Sequence, residues 1–212
     1  MRRLVTRLLD LLYPRACANC GRIGESSWCS ACLESLTADR FRPIERTLDD
    51  RLTVIAGGSL DGVLRKAIHA FKFDGARELA GVLGAIVDEA LIAAGVSADI
   101  VVPVPLHPRR ERWRGYNQSA LLALAVAANL NAACDVGLLS RTRYTAPQVG
   151  RDARSRREAV DGAFLSLRES LAGLRVLLID DVVTTGSTLS ACGRALYAAG
   201  AETVTCACVA SA

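Results

Sequence analysis

The chain has 212 residues, of which 51% are hydrophobic and 23% are charged, and its net charge is +4. A chain of this composition folds into a globular protein with one substantial core and room for a small appendage, which excludes a disordered chain. No stretch contains the ~20 consecutive apolar residues that a membrane-spanning helix needs. Lys66 and Lys72 are the two lysines, so arginine supplies nearly all of the positive charge.

Residues 1–13 combine basic residues with leucines, as the start of a signal peptide does. Arg7 and Asp10 interrupt the apolar run, however, and no small uncharged residues mark a cleavage point. We therefore expect a short amphipathic helix that leads into the next module. The eight cysteines indicate metal binding or free thiols rather than disulfides, and together these features predict a cytoplasmic protein without membrane insertion.

Two Cys-x-x-Cys pairs, separated by eight residues, follow this helix: Cys17, Cys20, Cys29 and Cys32. Each pair presents two thiolates to one point, and four thiolates close a tetrahedral Zn²⁺ site with no open position, which predicts structural zinc. The alternative is a redox role, which needs one motif on a βα turn rather than two around a glycine loop. The other cysteines have no ligand spacing and are expected in the core: Cys134, Cys192, Cys206 and Cys208.

Residues 33–53 form a polar stretch that we interpret as a connector, with a domain boundary between residues 1–50 and 51–212. Apolar runs typical of strands then alternate with segments of helical periodicity. This alternation predicts an α/β domain with a mainly parallel sheet. The expected strands lie at residues 54–60, 99–103, 134–139, 176–179 and 203–209, and the expected helices at 61–73, 77–94, 120–130 and 189–199.

The last of these strand-to-helix connections carries the clearest chemistry. Four apolar residues, 176–179, end in Asp180 and Asp181, and a loop of Thr, Gly and Ser precedes the helix. Ligands of open α/β sheets bind at the carboxyl ends of the strands. Backbone N–H groups and hydroxyls of residues 184–188 form an anion cradle at the helix N-terminus. The carboxylates repel an anion but accept hydrogen bonds from vicinal hydroxyls, so the loop predicts a sugar phosphate.

The loop has two other possible interpretations, helix capping and a commoner type of nucleotide-binding loop. Thr and Ser before a helix commonly cap its first N–H groups, although capping needs neither the acidic pair nor so many hydroxyls. The two commoner nucleotide-binding loops are excluded because their glycine patterns are absent from the sequence.

The loop resembles the phosphoribosyl pyrophosphate (PRPP) loop of type I phosphoribosyltransferases. The resemblance implies that Asp180 and Asp181 hold the ribose 2′- and 3′-hydroxyls at the catalytic centre, and that residues 184–188 hold the 5-phosphate. It also implies Mg²⁺ bound together with PRPP. The implied PRPP-binding residues are Asp180, Asp181, Val182, Thr184, Thr185, Gly186, Ser187 and Thr188.

Cationic side chains precede the acidic loop at two places. Lys72 ends a predicted helix before a glycine turn, and His107, Arg110 and Arg114 follow the strand that begins at residue 99. Prolines at 103, 105 and 108 order this second loop. The cations could neutralise a departing pyrophosphate. Alternatively, they are solvated surface charges, and a helix C-terminus also favours any lysine.

The order of these motifs along the chain resembles that of one particular family. Two cysteine pairs, the sequence Phe71-Lys72-Phe73, a stretch from Pro103 to Ser119 and the acidic loop occur in the order typical of the ComF family. The resemblance extends over nearly the whole chain. It implies an N-terminal zinc ribbon, a type I phosphoribosyltransferase-like domain and a role in DNA uptake and natural transformation, without an identified acceptor.

Residues 141–157 form a basic stretch with six arginines, among which Arg154, Arg156 and Arg157 are candidate ligand contacts. The stretch is interpreted as a lid over PRPP, as a track for single-stranded DNA phosphates, or as a solvated loop. Ala159 stands where the family pattern has Asn, which puts one polar contact and the transferase activity in question.

Two functions of different class remain open. The first is a PRPP-dependent phosphoribosyltransferase, a glycosyltransferase that releases pyrophosphate. The second is a non-catalytic module that binds single-stranded DNA and works with a competence helicase. The sequence does not identify the acceptor.

Overall fold

A computed structural model describes residues 16–24, 26–142 and 162–212 of the chain. The predicted N-terminal helix at residues 1–13 lies outside these ranges. The described elements, in chain order, are α1 (Ser30–Ala38), β1 (Ile44–Asp49), β2 (Leu52–Ser59), α2 (Gly62–Phe73), α3 (Leu79–Ala93), β3 (Ile100–Pro103), α4 (Pro108–Arg114), α5 (Gln118–Leu130), β4 (Ala133–Cys134), β5 (Leu139–Arg141), β6 (Phe164–Ser166), β7 (Arg175–Val183), α6 (Ser187–Ala198) and β8 (Thr203–Ser211).

Six of the strands form one sheet in the order β1-β2-β8-β7-β3-β4. Strands β2, β8, β7, β3 and β4 pair in parallel with their neighbours, and β1 pairs antiparallel with β2 at one edge. Strands β5 and β6 form a separate antiparallel pair. The prediction of an α/β domain with a mainly parallel sheet is confirmed, and β7 lies in the interior of that sheet.

Both faces of the sheet are covered, which explains why β7 is apolar without alternation. Leu177 and Ile179 belong to the core formed with α2, α3 and α5, whereas Val176 and Leu178 belong to the core formed with α6 and the β5–β6 pair. Leu177 and Leu178 are fully buried, and burying a leucine side chain stabilises a fold by about 1.5–3 kcal/mol. This packing fixes the position of the acidic residues that follow in β7.

The end of β7 differs from the prediction. The strand continues through both acids to Val183, because Asp180 pairs with Cys208 and Val183 pairs with Ser211 of β8. The apolar residues Val182 and Val183 extend the ladder beyond the acids. The two carboxylates therefore lie on a hydrogen-bonded strand rather than in the loop after it.

The predicted connector was wrong in part, because residues 33–53 contain most of α1 and all of β1. In β1, Ile44, Arg46 and Leu48 are half-buried and alternate with exposed residues, so the strand places one face against the sheet. Strand β1 precedes the predicted boundary at residue 50 and still pairs with β2. The boundary itself stays a prediction.

The single strand predicted at residues 134–139 was also wrong. Its ends belong to β4 and β5, which lie in different sheets. Between them Asp135 turns the chain, since its Oδ1 accepts a hydrogen bond from the Gly137 N–H at 3.0 Å. Short Asp side chains commonly close such turns.

The cysteine-containing module packs on the domain that follows it. Cys17, Trp28 and Leu36 are buried in the same core as α2 and α3. Trp28 is 2% exposed, so its ring packs inside this core and offers no surface on which a nucleic-acid base could stack. In the described part of the chain, no helix has the length and apolar character that crossing a membrane requires.

Candidate functional site

A cleft of about 620 Å³, open to solvent, lies where β3 and β7 end. It forms there because parallel strands leave their following loops at one edge of the sheet. The N–H of Val104, directly after β3, donates to the carbonyl of Ile179 in β7 at 2.8 Å, which brings the two strand ends together. The cleft is lined by Lys72, Phe73, Val104, Pro105, Leu106, Arg110, Arg114, Gln118, Ser119, Arg141, Asp180, Asp181 and Thr188.

The start of α5 holds Asp180. Asn117 caps this helix, since its Oδ1 accepts from the Ser119 N–H at 3.0 Å and its Nδ2 donates to the Val104 carbonyl at 3.1 Å. Ser119 Oγ then donates to Asp180 Oδ1 at 2.8 Å. The carboxylate also lies beside the N-terminus of a helix, where negative charge is favoured. The sequence Asn-Gln-Ser thus supports the acidic pair.

Asp181 is 4% exposed and pairs with Lys72, whose Nζ lies 2.6 Å from its Oδ1. The other oxygen, Oδ2, is buried and has no hydrogen-bond partner within the described residues. Lys72 is presented by the last turn of α2, whose carbonyl at Phe71 accepts a hydrogen bond from the hydroxyl of Tyr116. A buried carboxylate oxygen without a partner is costly, and Oδ2 is free to accept a hydrogen bond from a group that enters the cleft.

The pKa of Asp180 is raised to about 7. Burial is the main cause, and the neighbouring charge of Asp181 adds to it, whereas Lys72 and the Ser119 hydroxyl act in the opposite direction. The Asp180 carboxyl is therefore only partly ionised near neutral pH. A partly ionised carboxyl suits a site whose ligand brings a cation or hydroxyl donors, because both favour the charged form.

We predict that Asp180→Asn raises the melting temperature more at pH 8 than at pH 5. Between the ordinary Asp pKa and about 7, the unfolded chain ionises Asp180 while the folded chain keeps it protonated, so the folded state loses stability as the pH rises. The amide removes this loss and keeps an oxygen for Ser119. We expect a gain of about 2–4 °C by calorimetry at pH 8. An equal shift at both pH values would contradict the assigned pKa.

The loop after β7 forms a second, smaller pocket of about 260 Å³, lined by Asp180 and residues 182–189. The N-cap of α6 is Gly186, at φ 74°, so no side chain occupies the cap position. Thr185 Oγ1 and Ser187 Oγ are hydrogen-bonded to each other at 2.9 Å. The residue at the N-cap position therefore has no side chain that could satisfy the first N–H groups of α6.

The loop pocket and the cleft are neighbours with shared walls. Asp180 and Thr188 line both of them. An anion in the loop and a second group in the cleft would therefore lie on either side of the acidic pair. All residues that the sequence assigned to PRPP line at least one of the two pockets.

Three arginines line the cleft, namely Arg110, Arg114 and Arg141. Arg114 is half-buried, donates to Gln118 Oε1 and lies over the Phe73 ring at 5.2 Å, and burial lowers its pKa. Its Nε is buried without a hydrogen-bond partner among the described residues. A guanidinium that keeps an unpartnered N–H donor beside a cleft open to solvent is suited to bind phosphate oxygens.

The structure places His107 differently from the other predicted cations. Its Nδ1 accepts a hydrogen bond from the Arg109 N–H at 3.2 Å and so caps α4. Burial and the charges of nearby arginines lower its pKa, which favours the neutral imidazole. His107 does not line the cleft, and its phosphate contact stays a prediction.

Sequence reasoning missed some residues of the cleft and assigned others that the structure does not describe. Gln118 and Ser119 were given no role, although both lie in a motif that the sequence singled out, and Arg141 was predicted only as part of the basic stretch 141–157. Arg141 ends β5, and burial lowers its pKa. Three predicted contacts lie outside the described residues: Arg154, Arg156 and Arg157.

The four N-terminal cysteines converge. The Sγ atoms of Cys17, Cys20, Cys29 and Cys32 all lie within 4.8 Å of one another. Cys20 Sγ and Cys29 Sγ are 3.8 Å apart, about the edge of a tetrahedron with Zn–S bonds of ~2.3 Å. The cluster therefore fits a metal ion bound by four thiolates.

The backbone around Cys17 favours its thiolate, whereas burial and the neighbouring cysteines raise the pKa of Cys32. Burial raises the pKa of Cys17, but N–H donors of Cys29, Cys20 and Asn19 outweigh burial and lower it to about 6. The side chain of Asn19 donates to Cys32 Sγ at 3.4 Å. Outer hydrogen bonds of this kind orient the ligands of metal sites. Cys192, Cys206 and Cys208 are fully buried in the core, as predicted, whereas Cys134 is half-buried against it.

Comparison with known proteins agrees with this arrangement. Residues 117–212 match the family described as "Phosphoribosyl transferase domain". The chain is 37% identical over 142 residues to "DNA utilization protein YhgH" of Salmonella typhi, covering 65% of this chain and 62% of that protein. It is 35% identical over 108 residues to "Competence protein F" of Haemophilus influenzae, covering 50% and 47%.

The chain thus spans less than two thirds of the length of these relatives. Among solved structures, the glutamine phosphoribosylpyrophosphate amidotransferase from B. subtilis gives a TM-score of 0.45 and 22% identity, over 66% of this chain and 30% of that one. The family match, the curated relatives and the four-cysteine cluster agree with the order of motifs in the sequence. The chain is therefore similar to DNA utilization and competence proteins over up to about two thirds of its length, and residues 117–212 match a phosphoribosyltransferase domain.

Proposed function

We propose that the chain binds PRPP or a related ribose 5-phosphate and acts in DNA uptake and natural transformation. The observation that carries the binding proposal is that Asp180 and Thr188 line both the loop pocket and the cationic cleft. A ligand with a phosphate at one end, hydroxyls in the middle and a second anionic group at the other end matches this order of groups. PRPP has all three groups in that order, and ribose 5-phosphate has the first two.

In this proposal the 5-phosphate accepts hydrogen bonds from N–H groups and hydroxyls of residues 184–188, at the start of α6. The ribose hydroxyls donate to Asp180 and to the unpartnered Oδ2 of Asp181. The pyrophosphate of PRPP would lie in the cleft near Lys72, Arg110 and Arg114. Lys72 would then exchange part of its contact with Asp181 for phosphate oxygens.

Two metal ions belong to the proposal. Mg²⁺ prefers carboxylate and phosphate oxygens and keeps several waters, and Asp181 Oδ2 and the ligand's phosphates would supply such oxygens. Zn²⁺ is the ion that best suits four cysteine thiolates at this spacing, and its role would be structural because no ligand position remains open.

The role in DNA uptake rests on the names of the relatives, one a DNA utilization protein and one a competence protein. Transfer of phosphoribose to an acceptor is the catalytic form of the proposal. It would break the bond between ribose C1 and pyrophosphate and form one to the acceptor. Ala159, where the family pattern has Asn, is the sequence feature that argues against transfer.

The same names support a second candidate, a non-catalytic module that binds single-stranded DNA beside a competence helicase. Arginines at 154, 156 and 157 would contact DNA phosphates. Such binding weakens steeply with salt, because each neutralised phosphate releases counterions. A salt-dependent titration of single-stranded DNA with the triple Arg→Ala variant tests it, and absence of binding at low salt would exclude it.

Isothermal titration of the full chain tests the first proposal. We expect ribose 5-phosphate to bind, ribose without phosphate not to bind, and PRPP to bind more tightly with Mg²⁺ than with a chelator. Pyrophosphate release in the presence of nucleobases would add catalysis. Equal affinity for ribose 5-phosphate and for inorganic phosphate would show that the acidic pair does not bind the ribose hydroxyls, and the proposal would be wrong.

A further inference from the structure

We propose that the edge strand β1 positions the phosphate loop, with Arg46 and Leu48 as positioning residues for ligand binding. The inference rests on the proposed function, because it assigns a role within the same site. Strand β1 lies outside the matched domain at residues 117–212 and inside the stretch that the sequence predicted to be a connector.

Arg46 joins the loop to the neighbouring strand. Its Nη1 donates to the carbonyl of Thr184 at 3.0 Å and to Ser211 Oγ at 3.0 Å. Ser211 is 8% exposed and pairs with Val183, the last residue of β7. One guanidinium nitrogen therefore fixes the first residue of the loop against the end of β8.

This contact controls an N–H group of the cradle. The peptide unit is planar and trans, so the Thr184 carbonyl and the Thr185 N–H point in opposite directions from the same plane. When Arg46 holds the carbonyl on the β1 side, the N–H is held toward the opposite side. Loss of Arg46 would let this peptide rotate, and the N–H would no longer be fixed.

Leu48 holds the loop at a second point. A Cβ at Gly186 would overlap Cδ2 of Leu48 and lie 3.1 Å from its Cδ1, so the leucine packs directly against the glycine backbone. Gly186 is also at φ 74°, a conformation that glycine adopts without strain. Arg46 and Leu48 lie on the same half-buried face of β1, so one strand contacts both Thr184 and Gly186.

The contacts of Arg46 and Leu48, which we call the loop clamp, would stabilise ligand binding by ordering the loop beforehand. A loop with a glycine at its centre loses conformational entropy when it orders around a phosphate, and contacts that order it beforehand remove this cost from binding. A hydrogen bond to a charged group is worth more than one between neutral groups, and loss of Arg46 is expected to weaken binding about 10-fold.

The experiment compares Arg46→Met with Arg46→Lys and with Arg42→Met, an exposed arginine two residues before β1. Ribose 5-phosphate binding by calorimetry should weaken about 10-fold in Arg46→Met, less in Arg46→Lys, which keeps one donor, and not in Arg42→Met. Guanidinium added below denaturing concentration should restore part of the affinity of Arg46→Met. In the free protein, the amide resonance of Thr185 should shift in Arg46→Met and be unchanged in Arg42→Met.

The outcomes separate the two proposals. If the unsubstituted chain binds ribose 5-phosphate and Arg46→Met binds it equally well with the Thr185 resonance unchanged, the role of β1 is wrong and the binding proposal stands. If the unsubstituted chain does not bind ribose 5-phosphate, the binding proposal fails, and the role of β1 fails with it. Arg46→Lys preserves the aliphatic stem and decides the question if Arg46→Met is poorly folded.

Discussion

Replacing both acids, Asp180→Asn together with Asp181→Asn, is expected to weaken binding of ribose 5-phosphate by at least about 100-fold. Hydrogen bonds to a charged acceptor contribute about 1.5–3 kcal/mol each, and 1.4 kcal/mol corresponds to a factor of ten. The two carboxylates are the proposed hydroxyl acceptors. Calorimetric titration at pH 8, above the pKa of about 7 of Asp180, measures the loss.

The control for this experiment addresses Lys72, which loses its ion-pair partner in the double variant. Adding Lys72→Met to the two substitutions removes the unpaired charge, and melting temperatures of all variants show which are folded. Asp50→Asn, an exposed acid in the turn between β1 and β2, should bind like the unsubstituted chain. A folded double variant with unchanged affinity would remove the acidic pair from the ligand site.

Replacing Cys32 with serine is expected to abolish metal binding and to lower the melting temperature by about 10 °C. Cys32 is buried in the core that the module shares with α2 and α3, so loss of the metal also loosens this packing. Binding of structural zinc contributes directly to folding free energy, and 1 kcal/mol shifts the melting temperature of a chain of this size by about 2–4 °C. Elemental analysis and calorimetry provide the two measurements.

A second cysteine serves as the matched control. Cys134 is half-buried and far from the cluster in sequence, so Cys134→Ser should keep one metal ion per chain. A strong chelator should reproduce the effect of Cys32→Ser on the unsubstituted chain. If Cys32→Ser retained a full equivalent of zinc with an unchanged melting temperature, the four cysteines would not form a metal site.

The acid pair and its loop were predictable because their chemistry is local in sequence. Buried apolar residues, two acids and a run of hydroxyls are consecutive, so no knowledge of distant contacts is needed. The cysteine pairs are predictable for the same reason, since fixed short spacings bring two thiolates together. Helix α2 was predicted within one residue of its start, because its apolar residues recur at helical spacing.

The remaining features depend on residues that are distant in sequence. The Thr184 carbonyl accepts from Arg46 across 138 positions, and Asp181 pairs with Lys72 across the matched-domain boundary. Strand β1 is half polar because one face is exposed at the sheet edge, and that alternation with charged residues was interpreted as a connector. Arg141 reaches the cleft only because β5 ends beside it.

These long-range contacts bear on the organisation of the chain. The matched domain begins at residue 117, whereas Lys72 of the cleft and Arg46 of the loop clamp precede it. The proposed ligand site is therefore completed by residues from the part of the chain before the matched domain. We expect a fragment beginning at residue 117 to lack ribose 5-phosphate binding even where it folds.

The most direct measurement is a crystal structure of the chain with ribose 5-phosphate. The proposal predicts the phosphate at the N–H groups of residues 185–188 and the ribose hydroxyls on Asp180 and Asp181. A sugar phosphate bound in the opposite direction, with its phosphate on Lys72 and Arg114 and its hydroxyls away from the acids, would contradict it.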